Sequence, residues 1–391
     1  MKRVIISLFL CFQTLFASVQ EYKLNDMRVI VCDDFFLPVA KVGVFYSVGL
    51  NHLKNICEAE IIQEKFLSKK SKTSAKNLGI HLEFDIYDDF SEISAVVSND
   101  QIKDVLKIIS DNEFDTENLK LTRDKLRITY KLSEYFGTDI ADDEIYSTIN
   151  SKRVFNQSIF DEFTENDLKN SFDLYRKSSK TVVICGKFDL EKLTEDLSLK
   201  KSSFDKKRTA QLVEFIRKDI KIRSKFLGRF LCYVYQNSDV IKNRDAILSV
   251  IGNEMFDYFK KYSQIIDSYH FTNLSPSNFF MLGIRVRRDV SQKSFENALK
   301  GFFDYLKRTN FSKEELESIS KTEKFSEIDD DENIHAKYQK VVNRYVFYTQ
   351  SEENLSEEIL KISSEDIKSF VEEILENSIV ARISTQYKAE S

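Results

Sequence analysis

Phe114-Asp-Thr-Glu-Asn-Leu119 and Phe311-Ser-Lys-Glu-Glu-Leu316 decide how this chain is read. Each puts an apolar residue first, then an Asp or Ser suited to cap a helix, then acidic residues where a first helical turn would carry them. Each also follows an apolar strand end, near 97 and near 286, and an intervening helical stretch. The two segments lie 197 positions apart. A second pair repeats at nearly the same distance. Phe163-Thr-Glu-Asn-Asp-Leu-Lys169 precedes a helix and the strand Thr181-Val-Val-Ile-Cys185, and Ile362-Ser-Ser-Glu-Asp-Ile-Lys368 precedes a helix and the strand Ile379-Val-Ala-Arg-Ile383. Capped helices are common, so one such pair means little. Two pairs at one spacing predict a tandem duplication of about 190–200 residues.

Within each half the pattern runs strands, helices, strand. Arg28–Cys32 and Ala40–Val48 are rich in β-branched residues. Glu58–Leu67 reads as a helix, and Leu82–Ile86 and Ile93–Val97 as a strand pair turning at Asp88-Asp89. Gln101–Ser110, Thr116–Glu134 and Ile140–Ser147 carry apolar residues at helical spacing. Strands and helices segregate, so the expected fold class is α+β, with two tandem homologous domains. The expected boundaries are a signal peptide over 1–17, a first domain over 18–198, a Lys/Arg-rich linker over 199–210 and a second domain over 211–391.

With 391 residues, either half is long enough to bury a core. Lys and Arg number 58 against 63 Asp and Glu, so no basic excess exists to drive nucleic-acid binding. Nine Gly and two Pro argue against Gly-rich phosphate loops and Pro-rich modules. Lys2 and Arg3 precede a 13-residue, mostly apolar stretch, Val4–Phe16, and then the small residue Ala17. This is the pattern of a secretory signal and is short for a membrane span. Leu10 before Cys11 is too large for a good lipid-attachment site, so no stable membrane anchor is expected. The chain is expected in the periplasm or outside the cell, with a mature charge of −7. Cys32, Cys57, Cys185 and Cys232 are scattered without zinc-ribbon spacing, and Cys32 and Cys185 read as buried thiols.

Several segments together resemble the M16 peptidases, the family of insulinase, pitrilysin and the mitochondrial processing peptidase. Leu24-Asn-Asp-Met-Arg-Val-Ile-Val31 is similar to the family's opening strand, and Val42–Gly49 to its second. Phe114–Leu126, Lys180–Phe188 and Phe311–Leu316 resemble later landmarks in the same order. The resemblance implies two homologous α+β domains joined by a linker and clasped around a chamber. Active members carry H-x-x-E-H on a helix of the first domain and a distal Glu some 70–80 residues later. Two His one turn apart bind zinc, the distal carboxylate completes the set, and the Glu of the motif takes a proton from zinc-bound water.

The matching positions here lack those groups. Glu60 and Glu64 stand where the His ligands belong, and Gln63 where the general base belongs. The distal position falls on Tyr130 or Lys131, and a cation there would repel zinc. The second domain of active members supplies an Arg and a Tyr that hold the substrate carbonyl. Those positions fall on Ser263 and Asp267, with Tyr269 reachable only by a two-residue slip. Neither H-x-x-E-H nor H-E-x-x-H occurs anywhere in the chain. Glu60 and Glu64 can also be read as a hard-cation pair, or simply as an acidic helix surface. His52 and His81 have no partner His at helical spacing and read as structural or solvent-facing. Arg285, Arg287 and Arg288 read as a solvated strand end.

The resemblance thus implies a noncatalytic subunit that holds no cofactor of its own. Its partner would be an active M16 chain carrying the zinc, or a second copy of itself, and its substrate a peptide or unfolded polypeptide. A structural or peptide-holding protein without a protease partner is the alternative, and a zinc peptidase with an atypical site is a third.

Overall fold

The computed structural model describes residues 19–33, 36–136, 157–204, 219–224, 229–236, 243–261, 266–274, 279–286, 291–347, 354–377 and 379–385. The apolar N-terminal stretch and the helix expected over Ile140–Ser147 lie outside these residues. Among the described residues no helix is long and apolar enough to cross a membrane.

The first sheet is built from β1 (Val19–Leu24), β2 (Met27–Asp33), β3 (Val39–Tyr46), β4 (Glu83–Ile86), β5 (Ser91–Ser98), β6 (Lys180–Gly186) and β7 (Lys200–Lys201). Its order is β4-β5-β3-β6-β2-β1-β7. The second sheet is built from β8 (Asp219–Ser224), β9 (Arg229–Gln236), β10 (Ile266–Leu274), β11 (Phe279–Val286) and β12 (Ile379–Thr385), in the order β10-β11-β9-β12-β8. Matched in chain order to β2–β6, these five strands occupy the same places. The one parallel pair of each core sheet also corresponds, β2 with β6 and β8 with β12, while the other neighbours are antiparallel. The duplication read from motif spacing is therefore a duplication of topology, in two mixed sheets packed with helices.

Helices fill the rest. In the first half they are α1 (Ile56–Lys65), α2 (Lys69–Asn77), α3 (Ile102–Ser110), α4 (Leu119–Phe136), α5 (Gln157–Glu162), α6 (Glu165–Lys177) and α7 (Leu190–Asp196). In the second they are α8 (Arg244–Lys260), α9 (Gln292–Arg308), α10 (Lys313–Glu332), α11 (Ile334–Tyr345), α12 (Leu355–Ile359) and α13 (Ser364–Asn377).

The central strands of the first sheet are buried on both faces, which is why they read as continuous apolar runs. Side chains alternate along them. Val29, Val31, Val42, Val44, Val182 and Ile184 enter one core with α1, α3, α4 and α6. Ile30, Cys32, Phe45, Val183 and Cys185 enter another. That second core is completed from the other half of the chain, by Ile334, Tyr338, Val341 and Val342 of α11 and by Val346 and Phe347 after it. Arg28 ties the same contact from β2, donating to the carbonyl of Tyr345 at 2.7 Å and pairing with Glu21 at 2.6 Å. Gly43 makes room for the crossing: a Cβ there would lie 1.8 Å from the Tyr338 hydroxyl.

Three local expectations change. Helix α4 begins at Leu119, not Thr116. Asn118 sits at φ 55°, a left-handed conformation that interrupts a helix. Asp115, expected to cap, instead pairs with the buried Lys65 at 3.3 Å. Its counterpart Ser312 does cap α10, with Glu315 returning the bond as a capping box. Finally, Lys200–Lys201, at the start of the expected linker, pair with β1 as an edge strand. Cys32, Cys57 and Cys185 are buried thiols, as read for Cys32 and Cys185.

Candidate functional site

Helix α1 carries Glu60, Gln63 and Glu64, the three positions singled out from sequence. Asn55 starts the helix by accepting a hydrogen bond from the Glu58 N–H at 3.0 Å. Glu58 itself is 4% exposed. Its carboxylate accepts the Lys54 N–H at 2.6 Å and the Ser171 hydroxyl of α6, which anchors the helix start to its neighbour. Beside it, Lys54 pairs with Asp167 at 2.6 Å. That ammonium and the Thr164 hydroxyl hold the Asp167 carboxyl down to about 2. Cys57, Ile61 and Ile62 are buried in the core. The remaining face, spaced i, i+3, i+4, presents Glu60, Gln63 and Glu64 together.

The contacts of Gln63 and Glu64 are structural ones. Gln63 donates its side-chain N–H to the carbonyl of Phe84 on β4 at 3.1 Å. Glu64 forms an ion pair at 2.7 Å with Lys125, which comes from α4, the helix where a distal ligand would be expected. Lys131 lies on the same helix, six residues beyond Lys125. Lys131 was singled out from sequence and Lys125 was not, although its place on the helix facing α1 was the available signal. Ser263 lies outside the described residues. Asp267 sits in β10 at a bulge, where the ladder slips between Ile266, paired with Val286, and Ser268, paired with Arg285. His52 is exposed and its ring accepts the Gly49 N–H at 3.1 Å, and His81 is exposed.

This donor set does not fit zinc. It offers two carboxylates and an amide with no imidazole or thiolate, and one carboxylate is already neutralised by an ammonium. Among the described residues no group of three His, Cys, Asp or Glu side chains is placed to hold a metal ion. An amide at Gln63 has no proton affinity near neutral pH, so it cannot act as a general base. The chemistry available on this face is hydrogen bonding and ion pairing.

Two tandem copies of one mixed-sheet unit give this chain the fold of solved M16-like peptidases. A protease from Helicobacter pylori superposes with a TM-score of 0.74 at 12% identity, over 94% of this chain and 99% of the other. A peptidase M16 inactive domain from Pseudomonas fluorescens gives 0.71 at 12% identity, over 96% and 100%. The periplasmic protease PqqL from Escherichia coli gives 0.69 at 9% identity, over 95% of this chain but 46% of its own. No protein-family model and no curated protein sequence matches the chain.

Proposed function

We propose that this chain is a noncatalytic M16-like subunit that pairs with an active M16 peptidase to enclose a peptide. The observation that carries the reading is the α1–α4 seam. The sequence resemblance puts the ligand and base positions on Glu60, Gln63 and Glu64 of α1, and there Lys125 pairs with Glu64. Hydrolysis would then belong to a partner that carries the zinc, while this chain contributes chamber wall and peptide-binding surface. Residues 1–17 support export, which would place the pair in the periplasm or outside the cell.

The test is purification of the full chain from its native host through a C-terminal tag, reading complex mass, co-purifying chains and zinc. The expected result is a near-stoichiometric M16 chain bearing H-x-x-E-H, with one zinc per pair. A zinc-free monomer or homodimer would remove the pairing and leave a structural or peptide-holding role. Stoichiometric zinc on this chain alone would overturn the reading of Glu60 and Glu64. Fractionation of the same cells checks export.

A further inference from the structure

Helices α8 and α10 are the second-half counterparts of α1 and α4. In the first half the seam between the pair is closed by Glu64 and Lys125. In the second half it opens into a cavity of about 320 Å³, walled as well by α11 and α12. That volume lies at the lower end of the range for small-molecule sites and suits one or two extended side chains.

Five carboxylates line it: Asp245, Glu323, Glu327, Asp330 and Glu358. Two cations, Lys340 and Arg344, share the wall, so negative charge is in excess. Three of the carboxylates are held by the protein. Asp245 pairs with Arg244 at 2.8 Å, Glu323 accepts the Ser249 hydroxyl, and Glu327 accepts the Ser356 N–H and hydroxyl at 3.2 and 2.8 Å. Glu358 differs. It is 7% exposed and lines the cavity, and its carboxylate makes no hydrogen bond or ion pair among the described residues. The carboxylate lines the cavity, where a bound cation would supply the ionic partner it lacks. Asp330 feels the same surplus. Partial desolvation of this mostly exposed side chain, with Asp329, Asp331 and Glu327 nearby, raises its pKa even though Lys340 opposes the shift.

We infer that this cavity binds an organic cation: a primary ammonium or guanidinium group on a flexible chain, carried either by a peptide side chain or by a free polyamine. The carboxylates are spread around the walls, and no three acidic, His or Cys side chains among the described residues converge on one point as a metal ion would require. Dispersed acceptors suit a donor with several N–H groups along its length. The inference does not depend on a peptidase partner.

The test is calorimetric titration of the full chain at low salt with agmatine, spermidine, a lysine-centred glycine pentapeptide and its norleucine isostere. The expected result is saturable binding of at least one cationic probe and none of the isostere. Glu358→Gln and Asp330→Asn should each weaken that binding at least tenfold. Asp330 is solvent-exposed, so should Glu358→Gln fail to fold, Asp330→Asn decides alone. Binding of the lysine peptide alone assigns the cation to a peptide side chain, and binding of the amines alone assigns it to a polyamine. No binding by any cationic probe, or equal binding by wild type and the folded variants, overturns the proposal.

Discussion

Glu92 is 4% exposed between β5 and the ring of Tyr338. Its carboxylate accepts the Tyr338 hydroxyl at 2.6 Å and the Tyr87 hydroxyl at 3.2 Å. Lys41 stands over the Tyr338 ring at 4.9 Å and contacts His335 at 3.2 Å. Burial raises the Glu92 pKa above the usual 4.5, and Asp85 adds to the shift, while the two tyrosines and Lys41 oppose it. The folded chain therefore holds this proton more tightly than the unfolded chain. The corresponding stability is complete below 4.5 and is lost as pH rises through the folded-state pKa. Glu92→Gln cannot lose it. In urea melts the variant should be less stable than wild type at pH 4, by about 1 kcal/mol for a weakened hydrogen bond. The gap should narrow or reverse by pH 8, and a gap independent of pH would refute the argument. This buried acid was not legible in sequence. In the alternating run Ser91–Ser98 a lone Glu reads as solvent-facing, because nothing nearby in the chain announces a tyrosine 246 residues away.

The elements that were legible carry a period. Strands β2, β3 and β6 show β-branched runs, and α6 and α10 show caps followed by acidic turns. The elements that escaped lack such signals. Helix α2, Lys-Lys-Ser-Lys-Thr-Ser-Ala-Lys-Asn, is polar nearly all round and buries only Ser71 and Ala75. Strand β1 is half polar, without a β-branched run, and is held by its antiparallel ladder to β2. Helix α11 escaped in a different way, since nothing in its sequence names the sheet it covers. Phe347, just beyond it, makes that cover specific. It is 1% exposed and packs edge-on against Phe45 of β3 at 5.8 Å and against Tyr87 at 5.3 Å. Phe347→Ala should cost about 3–5 kcal/mol, a lost aromatic plus the cavity it leaves. Equilibrium denaturation measures this, and a cost below about 1 kcal/mol would mean that the contact is absent in solution.

At the scale of the molecule, the two halves repeat a topology without being separable. Motif spacing carried the repeat, because caps and strand ends are local and survive divergence. The absence of an H-x-x-E-H motif was legible for a related reason, since missing His residues are visible in any register. The crossing of α11 onto the first sheet was not, because a contact between distant segments leaves no mark on either period. That crossing decides what happens when the chain is cut. Residues 18–198 alone keep every strand of the first sheet except β7, yet they leave Ile30, Cys32, Phe45, Val183 and Cys185 without the side chains that cover them. A contiguous apolar face on a sheet is an association hazard. Expressed alone, residues 18–198 should aggregate or bind a hydrophobic dye strongly, and co-expression with residues 199–391 should restore a soluble complex. If the first half alone were monomeric and as resistant to urea as the whole chain, α11 would not be part of its core.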